Sequence, residues 1–248
     1  MGNQGIAVVT GGGKGIGAAV CRRLAADGYR ILLTYHTSSQ SAEQVVAKIC
    51  EDGGDAFAVR VDCSDPSEVY VLADHPWIRT TIGGPVEVLV INHGRYDRMA
   101  TDELTTEQLQ RTMDTNFTGA FHVWKALAPH LTSDARIVVV GSQLGIRGSP
   151  HGGDYSASKA ALHAWARSLA QAVGPKGQRV NILAPGYIDT AILEGDSDER
   201  RALRESEVPL RRIGTSEDMA GVVSFLVSED SAYVNGAIIH ANGGLYLP

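Results

Sequence analysis

Short apolar runs alternate with longer amphipathic segments along the whole chain. The apolar runs lie at 5–10, 30–35, 55–62, 86–91, 136–142, 178–184 and 236–241. They lack the polar alternation of a strand with one exposed face, so they predict strands covered on both faces. Segments with helical spacing lie between them, at 15–28, 41–54, 65–74, 103–130, 153–174 and 216–228. Strands that alternate with helices predict right-handed crossovers and a parallel sheet.

The pattern continues from end to end without a linker or an internal repeat. We therefore expect one α/β domain over 1–248, a doubly wound parallel sheet of about seven strands with helices on both faces. Two segments depart from the pattern. Pro76 lies where a helix would otherwise continue, so that helix ends early or kinks. The charged insertion at 187–206 is too long for a bare loop, and we expect a short helix there and a substrate lid around 187–210.

Composition and charge exclude several classes of function. The chain of 248 residues is 44% hydrophobic and 20% charged, as in an ordinary globular protein. Its net charge of −6 argues against nucleic-acid binding, which needs clustered Lys and Arg. No apolar run reaches the ~20 residues of a membrane span. The N-terminus lacks the features of a signal peptide, and Cys21, Cys50 and Cys63 lack metal-ligand spacing. We expect a cytoplasmic protein without a metal site.

A glycine-rich loop, TGGGKGIG, lies between the first predicted strand and the first predicted helix. Glycines permit a tight turn and a close approach of the backbone to a pyrophosphate, and the helix N-terminus supplies free N–H groups. A glycine-rich turn without a ligand is the alternative, but the strand before and the helix after favour a dinucleotide site. The expected cofactor contacts in this loop are Thr10, Gly11, Gly13, Lys14, Gly15, Ile16 and Gly17.

Several motifs in order resemble those of the short-chain dehydrogenase/reductase family. They are TGGGKGIG at 10–17, VDCSD at 61–65, NHG at 92–94, TNFTG at 115–119, Ser142, YSASK at 155–159 and PGYIDT at 185–190. Residues 211–244 resemble the 3-oxoacyl-(acyl-carrier-protein) reductase branch. The resemblance implies a Rossmann-like fold and a homotetramer, with a homodimer as the alternative.

The region after the second predicted strand indicates which nicotinamide cofactor fits. In dinucleotide-binding folds an acidic residue there holds the ribose 2′-OH of NAD. The stretch 32–40 holds no acid and instead carries His36, Thr37 and Ser38. Lys14 matches a basic position of the family's NADP-preferring members, where a cation would contact the 2′-phosphate; alternatively it faces solvent. We expect NADP(H). By resemblance the remaining cofactor contacts are Asp62, Cys63, Asn92, His93, Gly94, Tyr155, Lys159, Pro185, Gly186, Ile188 and Thr190.

Tyr155 and Lys159 are one helical turn apart and so share a face of their helix. A tyrosine with an ordinary pKa near 10 is a poor acid at neutral pH, and we expect the ammonium of Lys159 and the positive charge of an oxidised nicotinamide to lower that pKa. Tyr155 would then exchange a proton with the substrate oxygen. Ser142 would orient the carbonyl. By resemblance, Asn116 holds a water in a proton relay.

The substrate is less well defined by the sequence. By resemblance, the pocket is lined by His93, Gln143, Leu144, Tyr187 and Ile192. Carrier-protein-dependent members of the family carry two basic docking residues, which align with Lys176 and Ser133, so only one is kept. Three functions stay open: a reductase of 3-oxoacyl thioesters, with acyl carrier protein as a partner; a tailoring ketoreductase of a polyketide-like or cyclic small ketone; and a non-catalytic NADP sensor. Sensors of this kind often lose the Tyr or the Lys, and this chain keeps both.

His93 ends the fourth apolar run, VLVINHG. The family's strand commonly ends Asn-Asn-Ala-Gly, whereas this chain reads Ile91, Asn92, His93, Gly94. The imidazole therefore replaces a small side chain beside the cofactor. Two interpretations stay open for His93. It is a packing residue, as a lone histidine more often is, or it makes a polar contact to substrate or cofactor.

Overall fold

A seven-stranded parallel sheet forms the centre of the protein. The computed structural model describes residues 5–79, 85–193 and 195–248. Residues 80–84 of the segment after Pro76, and residue 194 of the predicted lid, lie outside the described residues. The strands are β1 (Ile6–Val9), β2 (Arg30–Tyr35), β3 (Ala56–Arg60), β4 (Val86–Ile91), β5 (Leu131–Val140), β6 (Arg179–Pro185) and β7 (Ile238–Ala241). Their order is β3-β2-β1-β4-β5-β6-β7, and every neighbouring pair is parallel. The predicted doubly wound fold is confirmed.

Helices cover both faces of this sheet. They are α1 (Gly15–Ala26), α2 (Ser39–Glu51), α3 (Pro66–Ala73), α4 (Pro76–Arg79), α5 (Thr106–Met113), α6 (Gly119–Leu127), α7 (Leu144–Arg147), α8 (Gly153–Val173), α9 (Asp198–Glu207) and α10 (Ser216–Val227). Apolar side chains of α3, α6 and α8 form one buried core with the sheet, and those of α1, α2 and α10 form a second core on the other face. Because both faces are buried, the strands are apolar throughout. No helix in the described ranges is long and apolar enough to cross a membrane.

The long helix predicted over 103–130 is interrupted. A 3-10 turn at Thr101–Glu103 precedes α5, and a π-helical turn at Asp114–Thr118 separates α5 from α6. Such π turns shift the hydrogen-bond register by one residue and are frequent at functional sites. The predicted early helix end near Pro76 is confirmed, since α3 ends at Ala73. Pro76 is the first residue of α4, a position whose N–H has no partner within the helix, so its absence costs nothing.

The strand order reverses at β1, which lies between β2 and β4. In such sheets the carboxyl ends of the strands open a crevice at the reversal, and ligands bind there. The glycine-rich loop follows β1, and Asn92 follows β4. The Asn92 side-chain amide donates to the carbonyls of Thr10 and Gly11, at 3.0 and 3.1 Å. This pair of bonds fixes the two loops against each other at the mouth of the crevice.

The charged insertion after β6 contains the predicted short helix, α9. Ion pairs hold it to the preceding segment: the carboxylate of Asp189 contacts the Arg201 guanidinium at 3.0 Å. Asp196 pairs with both Arg200 and Arg204. The insertion is therefore a folded flap, and its action as a lid stays a prediction.

Candidate active site

The glycine-rich loop is shaped as a cradle at the N-terminus of α1. Gly11 and Gly15 have φ angles of +63° and +53°, which side chains disfavour. A Cβ on Gly15 would lie 3.3 Å from the Thr190 methyl group, so any side chain there would narrow the gap between this loop and the segment after β6. A Cβ on Gly17 would lie 2.2 Å from the Gly11 carbonyl oxygen. No side chain caps α1, which leaves its first N–H groups to the cradle. This geometry and donor set fit a pyrophosphate.

Polar groups gather at the neighbouring N-terminus of α2. Gly13 packs against Ala42 of α2, since a Cβ on Gly13 would lie 3.2 Å from the Ala42 Cβ, and the Lys14 side chain next to it is exposed. Ser38 precedes α2 without capping it. The His36 imidazole lies 3.5 Å from the Asp62 carboxylate. Partial burial raises the pKa of Asp62, but hydrogen bonds from Ser64 outweigh it and hold that pKa below its usual range.

Two predicted cofactor contacts have their side chains in the hydrophobic core. Cys63 belongs to the core on one face of the sheet and Ile188 to the core on the other. Burial raises the pKa of the Cys63 thiol to about 12. A cofactor contact of either residue would therefore involve its main-chain atoms, and both contacts stay predictions. Sequence position alone did not show which way these side chains turn.

Tyr155 and Lys159 lie in the first turns of α8, beside the carboxyl end of β5. The Tyr155 phenol hydrogen-bonds the hydroxyl of Ser142, which follows β5 by two residues. The Lys159 ammonium donates to the Val140 carbonyl at 2.8 Å and lies 5.6 Å from the centre of the Tyr155 ring. The structure thus brings together the hydroxyl, the phenol and the ammonium that the sequence predicted.

The protonation states of this cluster differ from the expectation. Burial raises the pKa of Tyr155 to about 12, against the opposing effect of the Ser142 hydrogen bond. Burial also lowers the pKa of Lys159 to about 8. Desolvation dominates the pKa of Tyr155 in the protein without cofactor, and the Lys159 ammonium is bonded to the Val140 carbonyl. The lowering expected from Lys159 and from the oxidised nicotinamide stays a prediction for the enzyme with its cofactor. At neutral pH the pair is a phenol beside an ammonium, which is the form that donates a proton.

Asn116 lies in the π-helical turn, and its side chain is already engaged. Its amide group donates to the Arg95 carbonyl at 3.0 Å and to the Ser158 hydroxyl at 2.9 Å. Its side-chain oxygen accepts from the Arg95 N–H at 2.7 Å. Both amide hydrogens are therefore occupied, and the water relay at Asn116 stays a prediction.

The predicted pocket residues lie around this cluster at different depths. Gln143 is buried, with its side-chain oxygen 3.5 Å from the Asn242 amide. Leu144 is half-buried at the start of α7. The Tyr187 hydroxyl donates to Glu207 at 3.0 Å, which connects the pocket to α9. The side chain of Ile192 lies outside the described part of the structure.

Comparison with known proteins identifies the family. A family model described as enoyl-(acyl carrier protein) reductase matches residues 11–246, nearly the whole chain. The 3-oxoacyl-[acyl-carrier-protein] reductase FabG of Staphylococcus aureus (strain Mu50 / ATCC 700699) is 31% identical, over 97% of this chain and 98% of its own. The chain belongs to the short-chain dehydrogenase/reductase family.

Solved structures of this family superpose closely on the chain. A short-chain dehydrogenase from Burkholderia cenocepacia J2315, in complex with NADP, has a TM-score of 0.90 and 36% identity, and the match covers 97% of each chain. A blue fluorescent protein from a metagenomic library, in complex with NADPH, has a TM-score of 0.91 and 35% identity, with 99% of each chain covered. These likenesses agree with the predicted fold and family.

His93, the residue in which this chain departs from the family's usual strand end, turns its imidazole inward. The Thr10 hydroxyl accepts from the main-chain N–H of Asn92, at 3.0 Å, and of His93, at 3.3 Å. The same hydroxyl lies 2.8 Å from His93 Nδ1 and donates to the Val90 carbonyl at 3.4 Å. Nε2 is buried, and desolvation lowers the pKa of His93 to about 4. A neutral ring agrees with the packing interpretation, and a polar contact of His93 to cofactor or substrate stays a prediction.

Tyr96 is a site residue that the sequence analysis did not find. Its ring stands edge-on to the Tyr155 ring, with the two centroids 4.8 Å apart. Its hydroxyl donates to the His151 carbonyl at 3.0 Å. Gly152 makes room for it, because a Cβ there would lie 2.7 Å from the Tyr96 ring. An aromatic residue two positions after NHG was the available signal, but nothing in the sequence paired it with Tyr155.

Proposed function

We propose that this protein is an NADP(H)-dependent carbonyl reductase. The observation that carries the proposal is the hydrogen-bonded pair of Ser142 and Tyr155, with the Lys159 ammonium beside it, at the edge of the sheet where the glycine-rich cradle opens. Membership of an oxidoreductase family supports it, as do the relatives crystallised with NADP and NADPH. When bound, the cofactor supplies or receives a hydride at its nicotinamide ring.

The choice of NADP(H) over NAD(H) is supported by the groups near α2. No carboxylate lies between β2 and α2, where one would hold a ribose 2′-OH and repel a 2′-phosphate. The exposed Lys14 ammonium and the uncapped N-terminus of α2 are both suited to a dianion. His36 and Thr37 lie exposed at the same place. We place the adenine ring of the cofactor next to Asp62.

The proton needed for reduction comes from Tyr155. Because its pKa is about 12, it is a phenol over the whole working range of pH, and it gives its proton to the oxygen of the carbonyl as hydride reaches the carbon. The Ser142 hydroxyl holds the substrate oxygen within reach of that proton. The Lys159 ammonium stabilises the phenolate that is left behind. The products are an alcohol and the oxidised cofactor, and the same groups serve the reverse reaction.

The substrate proposed first is a 3-oxoacyl thioester, which is supported by the likeness to FabG. A tailoring reaction on a cyclic or polyketide-like ketone is the second candidate, supported by the aromatic ring of Tyr96 against the catalytic phenol. Ser133 lies near the start of β5, and Lys176 follows the end of α8. Tyr155 lies at the opposite end of α8 from Lys176. The two docking positions are therefore far from the phenol of Tyr155 in the same chain. The proposal therefore does not require a carrier protein.

A homotetramer is proposed as the assembly. An aromatic cluster on α6 and α8 supports it: Phe121 is 38% exposed, and its ring lies 6.5 Å from the rings of both Trp124 and Trp165. Exposed aromatic patches of this kind mark contact surfaces between proteins. Light scattering of the purified protein tests the assembly, and a monomeric mass at all concentrations would refute it.

The test of the function is consumption of NADPH in the presence of ketones. The panel holds an acetoacetyl thioester, a decalone, a quinone and an aromatic polyketide mimic, each assayed with NADPH and with NADH. We expect turnover of at least one ketone with a higher kcat/KM for NADPH. Tight NADPH binding without turnover of any carbonyl would instead indicate a sensor. Equal or better use of NADH would refute the choice of cofactor.

A further inference from the structure

A histidine that the proposed chemistry does not use lies directly beneath the catalytic serine. His163 is one helical turn after Lys159 in α8 and is only 2% exposed. Its Nε2 accepts a hydrogen bond from the main-chain N–H of Ser142, with the two nitrogens 3.3 Å apart. Since Nε2 accepts, the imidazole proton lies on Nδ1. Desolvation lowers the pKa of His163 to about 4, so the ring is neutral at physiological pH.

The end of β5 is built around this imidazole. A Cβ on Gly141 would lie 2.1 Å from His163 Nε2, so the ring occupies the space that a side chain would fill. On one side of Gly141 the Lys159 ammonium holds the Val140 carbonyl at 2.8 Å, and on the other His163 holds the N–H of Ser142. Two side chains of α8, one turn apart, therefore fix three consecutive residues of the main chain.

We infer that His163 is a positioning residue, which holds the Ser142 main chain in the orientation that directs its hydroxyl to Tyr155. This inference rests on the proposed function, because the orientation matters only if Ser142 and Tyr155 act on a carbonyl. The Ser142 hydroxyl also accepts from the Leu144 N–H at 3.1 Å, so its direction depends on the local main chain. Small misplacements of a catalytic group cost up to about 100-fold in rate.

The polar character of His163 argues that it does more than fill space. Its Nδ1 is buried and has no hydrogen-bond partner in the described ranges, a cost that a leucine of similar volume would avoid. The favourable contact that offsets this cost is the one to Ser142. His240 on β7 is an electrostatic neighbour of His163 and also has a buried Nδ1 without a partner among the described residues, but it makes no hydrogen bond to Ser142. His240→Leu therefore separates the bond to Ser142 from a general effect of removing a buried imidazole nearby.

The test uses the variants His163→Gln, His163→Asn, His163→Leu and Ser142→Ala of the full chain, with a double variant and a control. A glutamine can place its oxygen where Nε2 lies, whereas the shorter asparagine cannot. We expect His163→Leu and His163→Asn to lower kcat about 10- to 100-fold while the Kd for NADPH changes by less than about threefold, and His163→Gln to recover most of the loss. In the Ser142→Ala background, His163→Asn should cause no further loss, because residues that act as a unit are non-additive.

The outcomes that overturn the inference are distinct. Equal kcat for His163→Gln and His163→Asn would show that the acceptor is not needed. Full additivity of His163→Asn with Ser142→Ala would place the effect elsewhere. The comparison of glutamine with asparagine stands even if His163→Leu fails to fold, and His240→Leu should retain the kcat of the unaltered protein. A parent protein that binds NADPH but reduces no ketone would refute the proposed function instead.

Discussion

The ring of Tyr96 stands edge-on to the ring of Tyr155, with centroids 4.8 Å apart. The segment that carries Tyr96 is bonded to the segment that leads into α8. The Thr101 N–H donates to the Pro150 carbonyl at 2.9 Å, and the Tyr96 hydroxyl donates to the His151 carbonyl. Tyr96 thus covers the catalytic phenol and adds to the burial that raises its pKa. We propose that it forms a wall of the substrate pocket.

Replacing Tyr96 with leucine tests this wall. Edge-on aromatic pairs contribute about 0.5–1.5 kcal/mol beyond the area they bury, so Tyr96→Leu should lower the free energy of unfolding by about 1–3 kcal/mol. It should also raise kcat/KM for a bulky cyclic ketone relative to a small one. Tyr96→Phe, which keeps the ring and loses the bond to His151, is the control and should leave this ratio unchanged. An unchanged ratio for Tyr96→Leu would remove Tyr96 from the pocket.

The pH dependence of turnover should follow Lys159 and not Tyr155. In the free enzyme the pKa of Lys159 is about 8 and that of Tyr155 about 12. Below pH 8 the ammonium and the phenol are both present. As the pH rises through 8 the ammonium is lost first, so kcat/KM for ketone reduction should be level below that pH and then fall by about tenfold per pH unit.

The control for this profile is Lys159→Arg, because a guanidinium stays charged. The residual activity of that variant should show no inflection near pH 8. A parent profile that stays level to pH 10 would contradict the assignment to Lys159. The rate should be measured at several NADPH concentrations at each pH, because the kcat/KM obtained from them reports the pKa values of the free enzyme.

Removal of the Lys14 charge should change the choice of cofactor. A hydrogen bond to a charged group contributes about 1.5–3 kcal/mol, so Lys14→Ala should lower kcat/KM for NADPH by about 10- to 100-fold. NADH has no 2′-phosphate, so its kcat/KM should change little. Lys48 on α2 is an exposed lysine paired with Asp52, and Lys48→Ala is the matched control. An equal loss of kcat/KM with NADPH and NADH would instead show that Lys14 contacts the pyrophosphate or is needed for folding.

The imidazole of His93 should matter for stability and not for rate. His93→Ala removes the 2.8 Å contact of His93 Nδ1 with the Thr10 hydroxyl, which keeps its bond to the Val90 carbonyl at 3.4 Å. We expect the free energy of unfolding to fall by about 1–2 kcal/mol, measured by denaturant titration, with kcat almost unchanged. A large loss of kcat that depends on the ketone would return His93 to the substrate pocket.

The strands, the glycine-rich loop and the Tyr155–Lys159 pair followed from the sequence because each has a local cause. Apolar runs without alternation indicated buried strands, and the bounds predicted for β2 and β4 match the structure. The predicted helix over 103–130 missed the π-helical turn around Asn116, since a shift in hydrogen-bond register has no compositional signature.

Contacts between distant segments could not be predicted in this way. Tyr96 meets Tyr155 across 59 positions, and His163 meets Ser142 across 21, and neither pair has a recognisable spacing. The raised pKa of Tyr155 also escaped prediction, because burial in the folded protein outweighs the charge of a neighbour one turn away. The direction of the Cys63 and Ile188 side chains likewise depended on the packing of the two cores.

The most direct test of the account is the activity of Tyr155→Phe, which removes only the hydroxyl that donates the proton. The ring and its contact with Tyr96 are kept, so the Tm and the Kd for NADPH should stay close to those of the parent protein. We predict that kcat for reduction of the best ketone in the panel falls by about 100- to 10,000-fold. A Tyr155→Phe protein that reduces this ketone at nearly the parent rate would contradict the central claim.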